Sequence, residues 1–231
     1  MYLDKSKIRG VTLIELIIAM GLGTVVIAAV ITVFSTTVRY NSDNLQMIRL
    51  NQELRGVMSL ISRDLRRAGY FNSATITSTY LDTFGGADTG SYGFNDCIYF
   101  AYDIDADGAT EDSDFIAYKL EAAEIKQGTG ASVNTSGSTP DFTCTTKVSW
   151  ESITEYDASA DRSDVQITNL QFAPECSIAG GAVSTGFTCT GGIAVRNITV
   201  TITGQVITPV DNTVVTRTLT ETIKLRNDSG A

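Results

Sequence analysis

Apolar residues follow three different patterns along the chain. From Val11 to Val38 they run almost unbroken, VTLIELIIAMGLGTVVIAAVITVFSTTV, with Glu15 as the single charge. A bilayer core about 30 Å thick takes about 20 helical residues, so Leu16 to Phe34 is long enough to cross one. In the next stretch Met47, Leu50, Leu54, Val57, Ile61, Leu65 and Ala68 recur at steps of three and four. That spacing makes one apolar face of a helix, with Arg49, Arg55, Arg63, Arg66 and Arg67 mostly off it. Neither proline nor a turn cluster separates the two stretches. Gly69 is a natural stop, and arginines in a last turn suit the helix dipole. The pattern predicts one helix from about residue 11 to 68, apolar all round over 11–38 and amphipathic over 39–69.

After Tyr70 the pattern changes to strands set among Thr, Ser, Gly and Asp. CIYFAYD (97–103), FIAYKL (115–120) and VQITNLQF (165–172) read as strands. IAVRNITVTITGQVI (193–207) and TVVTRTLTETIKLRN (213–227) alternate around TPVDN and predict a long hairpin whose polar side is threonine. Stretches 83–93, 128–141 and 179–192 read as loops. The fold class is therefore α+β: a long N-terminal helix packed on an antiparallel β-sheet domain spanning 70–231.

Charge and composition narrow the function. Lys5, Lys7 and Arg9 outnumber Asp4 before Gly10, so the rest of the chain is more acidic than the net −9 of the whole. A basic leader before an apolar helix places the N-terminus in the cytoplasm and the β-rich domain outside. The acidic body argues against nucleic acid as a main partner. The chain has no histidine, which removes Ser-His-Asp and Cys-His catalysis and His-ligated zinc, and an enzyme is not expected. Cys97, Cys144, Cys176 and Cys189 contain no C-x-x-C pair and all follow the apolar run. In an exported domain they read as two disulfides with three possible connectivities. Sequence order favours Cys97–Cys144 and Cys176–Cys189.

One loop carries candidate metal chemistry. In YDIDADGATEDSD (102–114), Asp103, Asp105 and Asp107 alternate and Gly108 follows, as in the first six places of a calcium loop. Ala109 would add a backbone carbonyl and Asp114 stands at the twelfth place, with Glu111 or Asp112 as substitutes. Strand-like flanks make this a metal-clamped hairpin, with calcium in a structural role. An ordinary solvated acidic turn uses the same residue types.

Glu15 is the remaining oddity, because a carboxylate inside an apolar helix costs a few kcal/mol unless it is paired. A basic leader, Gly10, then Val11-Thr12-Leu13-Ile14-Glu15 and a long apolar helix closely resemble the type IV prepilin signature. That resemblance implies a leader of residues 1–10, removed by the prepilin peptidase at the Gly10–Val11 bond, and N-methylation of Val11. It implies an assembly role for Glu15, which would neutralise an N-terminal amine of its own chain or a neighbour. Val11 stands where phenylalanine is usual, and Gly21 and Gly23 are the expected weak points of a helix without proline. LNQELRGVMSLISRDLRRAGY (50–70), the strand–loop–strand at 97–120 and IKLRN (223–227) are similar to PilW-type minor pilins, and less closely to the J-type pseudopilin of type II secretion. The resemblance implies a pilin-like fold and a minor pilin that primes or caps a filament. Its partners would be other minor pilins, the major pilin, the peptidase and the inner membrane. The alternatives are a minor pseudopilin of a secretion machine, or a single-pass calcium-binding adhesin or sensor.

Overall fold

The computed structural model describes residues 10–70, 72, 84–85, 97–109, 111–130, 149–154, 156, 165–178, 183–185, 194–208 and 212–225. One α-helix, α1 (Leu13–Arg67), is continuous over 55 residues. It passes through Gly21 and Gly23 without a break, and Thr24 Oγ1 donates to the Gly21 carbonyl at 2.8 Å. Over its first half the large apolar side chains, from Val11 to Val38, are exposed. The second half buries Leu50, Leu54, Val57, Ile61 and Leu65, the stripe that the three-four spacing predicts, while Met47 is only half-buried. The helix stops where glycine first permits a left-handed backbone, with Gly69 at φ 76° and Tyr70 N–H donating to the Arg67 carbonyl at 2.9 Å.

The strands in chain order are β1 (Phe84–Gly85), β2 (Cys97–Ala101), β3 (Phe115–Glu121), β4 (Glu124–Thr129), β5 (Ser149–Ser152), β6 (Gln166–Ile178), β7 (Val183–Thr185), β8 (Ala194–Ile207) and β9 (Val214–Lys224). They form two antiparallel sheets, ordered β1-β2-β3-β4-β5 and β7-β6-β8-β9. The predicted hairpin is β8–β9, with Ile207 opposite Val214 and the turn closed by Thr208 N–H to the Thr213 carbonyl at 2.9 Å. Its outer face is a threonine ladder: Thr199, Thr201 and Thr203 pair with Thr222, Thr220 and Thr218 through hydroxyls at 2.9, 3.2 and 3.0 Å. The inner face carries Ile198, Val200, Ile202 and Ile223, all buried.

Two of the expected loops contain strand. Phe84–Gly85 lies within 83–93 and Val183–Thr185 within 179–192, each a short strand paired along one edge of its sheet. β4 also runs into the expected loop at 128–141. Gly and Ser/Thr composition marks such stretches as loop because short edge strands need little apolar pattern of their own.

One core joins the three layers. The helix stripe packs with Ile98, Phe100, Ile116 and Ile125 of the first sheet, and with Ile167, Leu170, Phe172, Ile198 and Ile202 of the second. Gly204 of β8 lets the helix come close: a Cβ there would stand 3.0 Å from Leu50 Cδ1 and 3.1 Å from Leu54 Cδ2. A second contact between helix and sheet is polar. Asp64, buried at 2 % exposure, accepts from the Tyr118 hydroxyl at 2.5 Å, and Gln127 Nε2 donates to the same phenol oxygen at 3.1 Å. Burial first, then the Asp64 carboxylate, push the Tyr118 phenol far above its ordinary pKa, so it stays protonated and a donor at every working pH.

Candidate functional site

The head of α1 is built from four residues. Gly10 is exposed, and nothing lies within 4 Å of where its Cβ would be. Val11 is 69 % exposed and Glu15 is exposed in the first helical turn. Thr12 is the N-cap, in extended conformation, and its Oγ1 accepts from the Glu15 N–H at 3.4 Å. Thr12-Leu13-Ile14-Glu15 therefore has the spacing of a capping box, with the acid at the positive end of the helix dipole. The T-x-x-E spacing announces this cap, which the reading of Glu15 as a membrane-embedded acid passes over. The leader residues Lys5, Lys7 and Arg9 lie outside the described residues. Between this head and the domain, α1 is apolar enough over its first half to cross a membrane, and that window has no buried residue.

The other end of α1 meets the aspartate loop. Gly69 N–H donates to the Ala101 carbonyl at 2.8 Å, and Asp103 N–H to the Tyr70 carbonyl at 2.9 Å. Asn72 adds two bonds, from its N–H to Asp103 Oδ2 at 3.1 Å and from Nδ2 to the Ala106 carbonyl at 2.6 Å. Between β2 and β3 the loop turns through left-handed Ala106 (φ 61°) and Gly108 (φ 75°) and closes on a short 3-10 turn, Asp112–Asp114. No residue-type signal marks Asn72 or Ala106 as part of this junction.

Among the described side chains, three of the predicted loop ligands come together. One carboxylate oxygen each from Asp103, Asp105 and Asp114 lie within 4.8 Å of one another. Asp103 and Asp114 are buried and Asp105 is exposed. Asp107 and Glu111 are not in that group: Asp107 Oδ1 accepts from the Ala109 N–H at 2.7 Å, and Glu111 Oε2 faces Ser113 Oγ at 3.5 Å. Ala109 thus enters the described bonding as a donor. For Asp112 the backbone alone is described. Asp114 accepts from Ile104 N–H at 3.1 Å on Oδ1 and from Glu111 N–H at 2.9 Å on Oδ2. Asp103 Oδ2 takes N–H bonds from Asn72 and from Gly108, the latter at 3.0 Å, whereas Oδ1 is buried without a hydrogen-bond partner among the described residues. Burial raises the Asp103 pKa, and the N–H groups of Asn72, Gly108, Ala106 and Asp107 outweigh it, so the carboxyl sits below its usual value and is ionised.

Cys97 on β2 and Cys176 on β6 are fully buried and disulfide-bonded, and Cys144 and Cys189 lie outside the described residues. At the foot of α1 the residues Arg63, Asp64, Arg66 and Arg67 mostly serve their own domain. Arg66 pairs with Glu221 of β9 at 3.1 Å, Arg67 lies over the Tyr102 ring, and Asp64 faces inward. Trp150 stacks under Lys119, 4.2 Å from its ammonium, beside Cys97 and Tyr99.

Against known families, residues 43–225 match the model of prepilin peptidase-dependent protein B, which is most of the chain. The chain belongs to that family. Residues 5–31 match a second model, the prokaryotic N-terminal methylation motif, over the head of α1 and its apolar run. The protein is thus a pilin-like member of the type IV prepilin group, and the prepilin peptidase is its partner. A prepilin motif on an exposed apolar helix fits anchoring in the inner membrane. Neither a curated protein nor a solved structure matches the chain.

Proposed function

We propose that this protein is a minor pilin that primes or caps a type IV filament as part of a minor-pilin complex. The observation that carries the reading is α1 itself: one uninterrupted helix, bare over its apolar half and fixed into the domain core over the other. A bare half of this kind serves a subunit that trades lipid for neighbouring helices. The peptidase cuts the Gly10–Val11 bond, and Val11 carries the new, methylated amine. Glu15 is four residues on, in the first turn of α1, and neutralises that amine in its own chain or in the adjacent subunit. The N-terminus faces the cytoplasm and the domain lies outside the inner membrane, where two disulfides, Cys97–Cys144 and Cys176–Cys189, form. Other minor pilins and the major pilin are its partners.

The second reading is a J-like pseudopilin of type II secretion, favoured by the same helix physics. Deleting the gene in its own host separates the two. The minor-pilin reading expects surface pili to fall about tenfold or more while secreted enzymes reach the medium normally. Loss of secretion with normal piliation would move the protein to the secretion machine.

A further inference from the structure

The sequence offers six carboxylates between Asp103 and Asp114, and the fold selects among them. Acidic loops are common, so the cluster alone means little. Asp103 Oδ1 is different. A buried carboxylate oxygen without a hydrogen-bond partner is costly, and Asp103 is only 3 % exposed. Its other oxygen is occupied by two N–H donors, so the open lone pairs of this carboxylate belong to Oδ1. The two arginines lining the cleft beside the loop are engaged elsewhere, Arg66 with Glu221 and Arg67 with the Tyr102 ring. Three carboxylates thus converge, with one oxygen from each within 4.8 Å of the others.

We propose that Asp103, Asp105 and Asp114 bind one divalent cation of the calcium class, and that the cation fastens the end of α1 to the β2–β3 hairpin. The spacing suits calcium: oxygens on one calcium, each at 2.3–2.6 Å, stand at most about 5.2 Å apart. Magnesium, at 2.0–2.1 Å, needs them closer and gives up its water reluctantly. Three carboxylates supply the charge, and waters complete a shell of six to eight oxygens. The ligand set is narrower than the sequence motif, because Asp107 and Glu111 are turned to local bonds. Asp103 connects the ion to function. Its N–H holds Tyr70, and its Oδ2 holds Asn72, so a cation on Oδ1 orders the exit from the helix. The affinity belongs to the range of extracellular modules, roughly 10⁻⁴ to 10⁻³ M, which stays filled outside the cytoplasm and empties within it. The inference stands whether the protein serves a pilus or a secretion machine.

The test uses the full chain in detergent, titrated by calorimetry with calcium chloride and, separately, magnesium chloride, and followed by hydrogen exchange. Calcium binds with one site per chain in the stated range, magnesium about tenfold or more weaker. About 10 mM calcium raises the melting temperature by roughly 4–8 °C. Asp105→Asn, an exposed position without a folding liability, weakens calcium at least tenfold, and Asp107→Asn leaves it within about twofold. Calcium slows amide exchange at Gly69, Asn72 and Asp103 together. No binding up to about 10 mM, or binding that Asp105→Asn leaves intact, overturns the site. Binding with unchanged exchange at those amides overturns the clamp.

Discussion

Glu15→Leu yields a protein that is made, processed and folded normally but is absent from filaments. The substitution removes the one charge in the apolar half of α1 and adds a side chain that membranes favour, so insertion does not suffer. What it removes locally is small. Glu15 is exposed in the first turn, and its contribution to the helix end through the dipole and capping box is about 0.5–1 kcal/mol. The domain core begins 35 residues further along, at Leu50, too far away to sense the change. A local role therefore predicts near-normal incorporation, and an assembly role predicts its loss, about tenfold or more in sheared filaments. Thr12→Val serves as the control. It deletes the cap at Thr12 Oγ1 but keeps the carboxylate, so incorporation survives it. If Glu15→Leu enters filaments at normal levels, the carboxylate is only a cap and the assembly role is withdrawn.

Tyr118→Phe destabilises the domain by about 2–4 kcal/mol, because it leaves the buried Asp64 carboxylate without its phenolic donor. The ring itself stays, so no cavity opens and the loss reports the hydroxyl alone. Arg63 Nε, 3.4 Å from Asp64 Oδ1, is on a solvent-exposed side chain and compensates little. Replacing both partners, Asp64→Leu with Tyr118→Phe, recovers much of the stability, since two apolar groups at that point need nothing from each other. Urea unfolding of the two single variants and the double variant measures the coupling. A cost below about 0.5 kcal/mol for Tyr118→Phe would mean that the pair does not hold α1 to the first sheet.

The long elements were legible because their periodicity is the physical consequence of what they touch. Leu50, Leu54, Val57, Ile61 and Leu65 lie on one helix face because one face meets the sheets, and β8 and β9 alternate because only one side of that hairpin is covered. β4 was hidden by its turn. The β3–β4 hairpin closes through Ala122 and Ala123, both left-handed at φ 54° and 66°, positions where Asn-Gly is the usual signal. β5 is four residues of mixed character, three of them exposed, and offers no pattern to read. Asp64 stands among arginines in the sequence, and nothing local marks its side; that it faces inward depends on Tyr118, 54 residues away. The aspartate loop was partly legible for a similar reason. Alternation brought Asp103 and Asp105 into view, but which later carboxylate joins them is decided by the 3-10 turn that carries Asp114 inward.

The central claim is that this chain is a processed subunit whose mature N-terminus lies beside Glu15. Intact mass and N-terminal sequencing of the protein from its native membrane fraction test it most directly. A chain beginning at N-methylated Val11, lacking the mass of residues 1–10, is the predicted result. A chain still beginning at Met1 in cells with an active prepilin peptidase would contradict it.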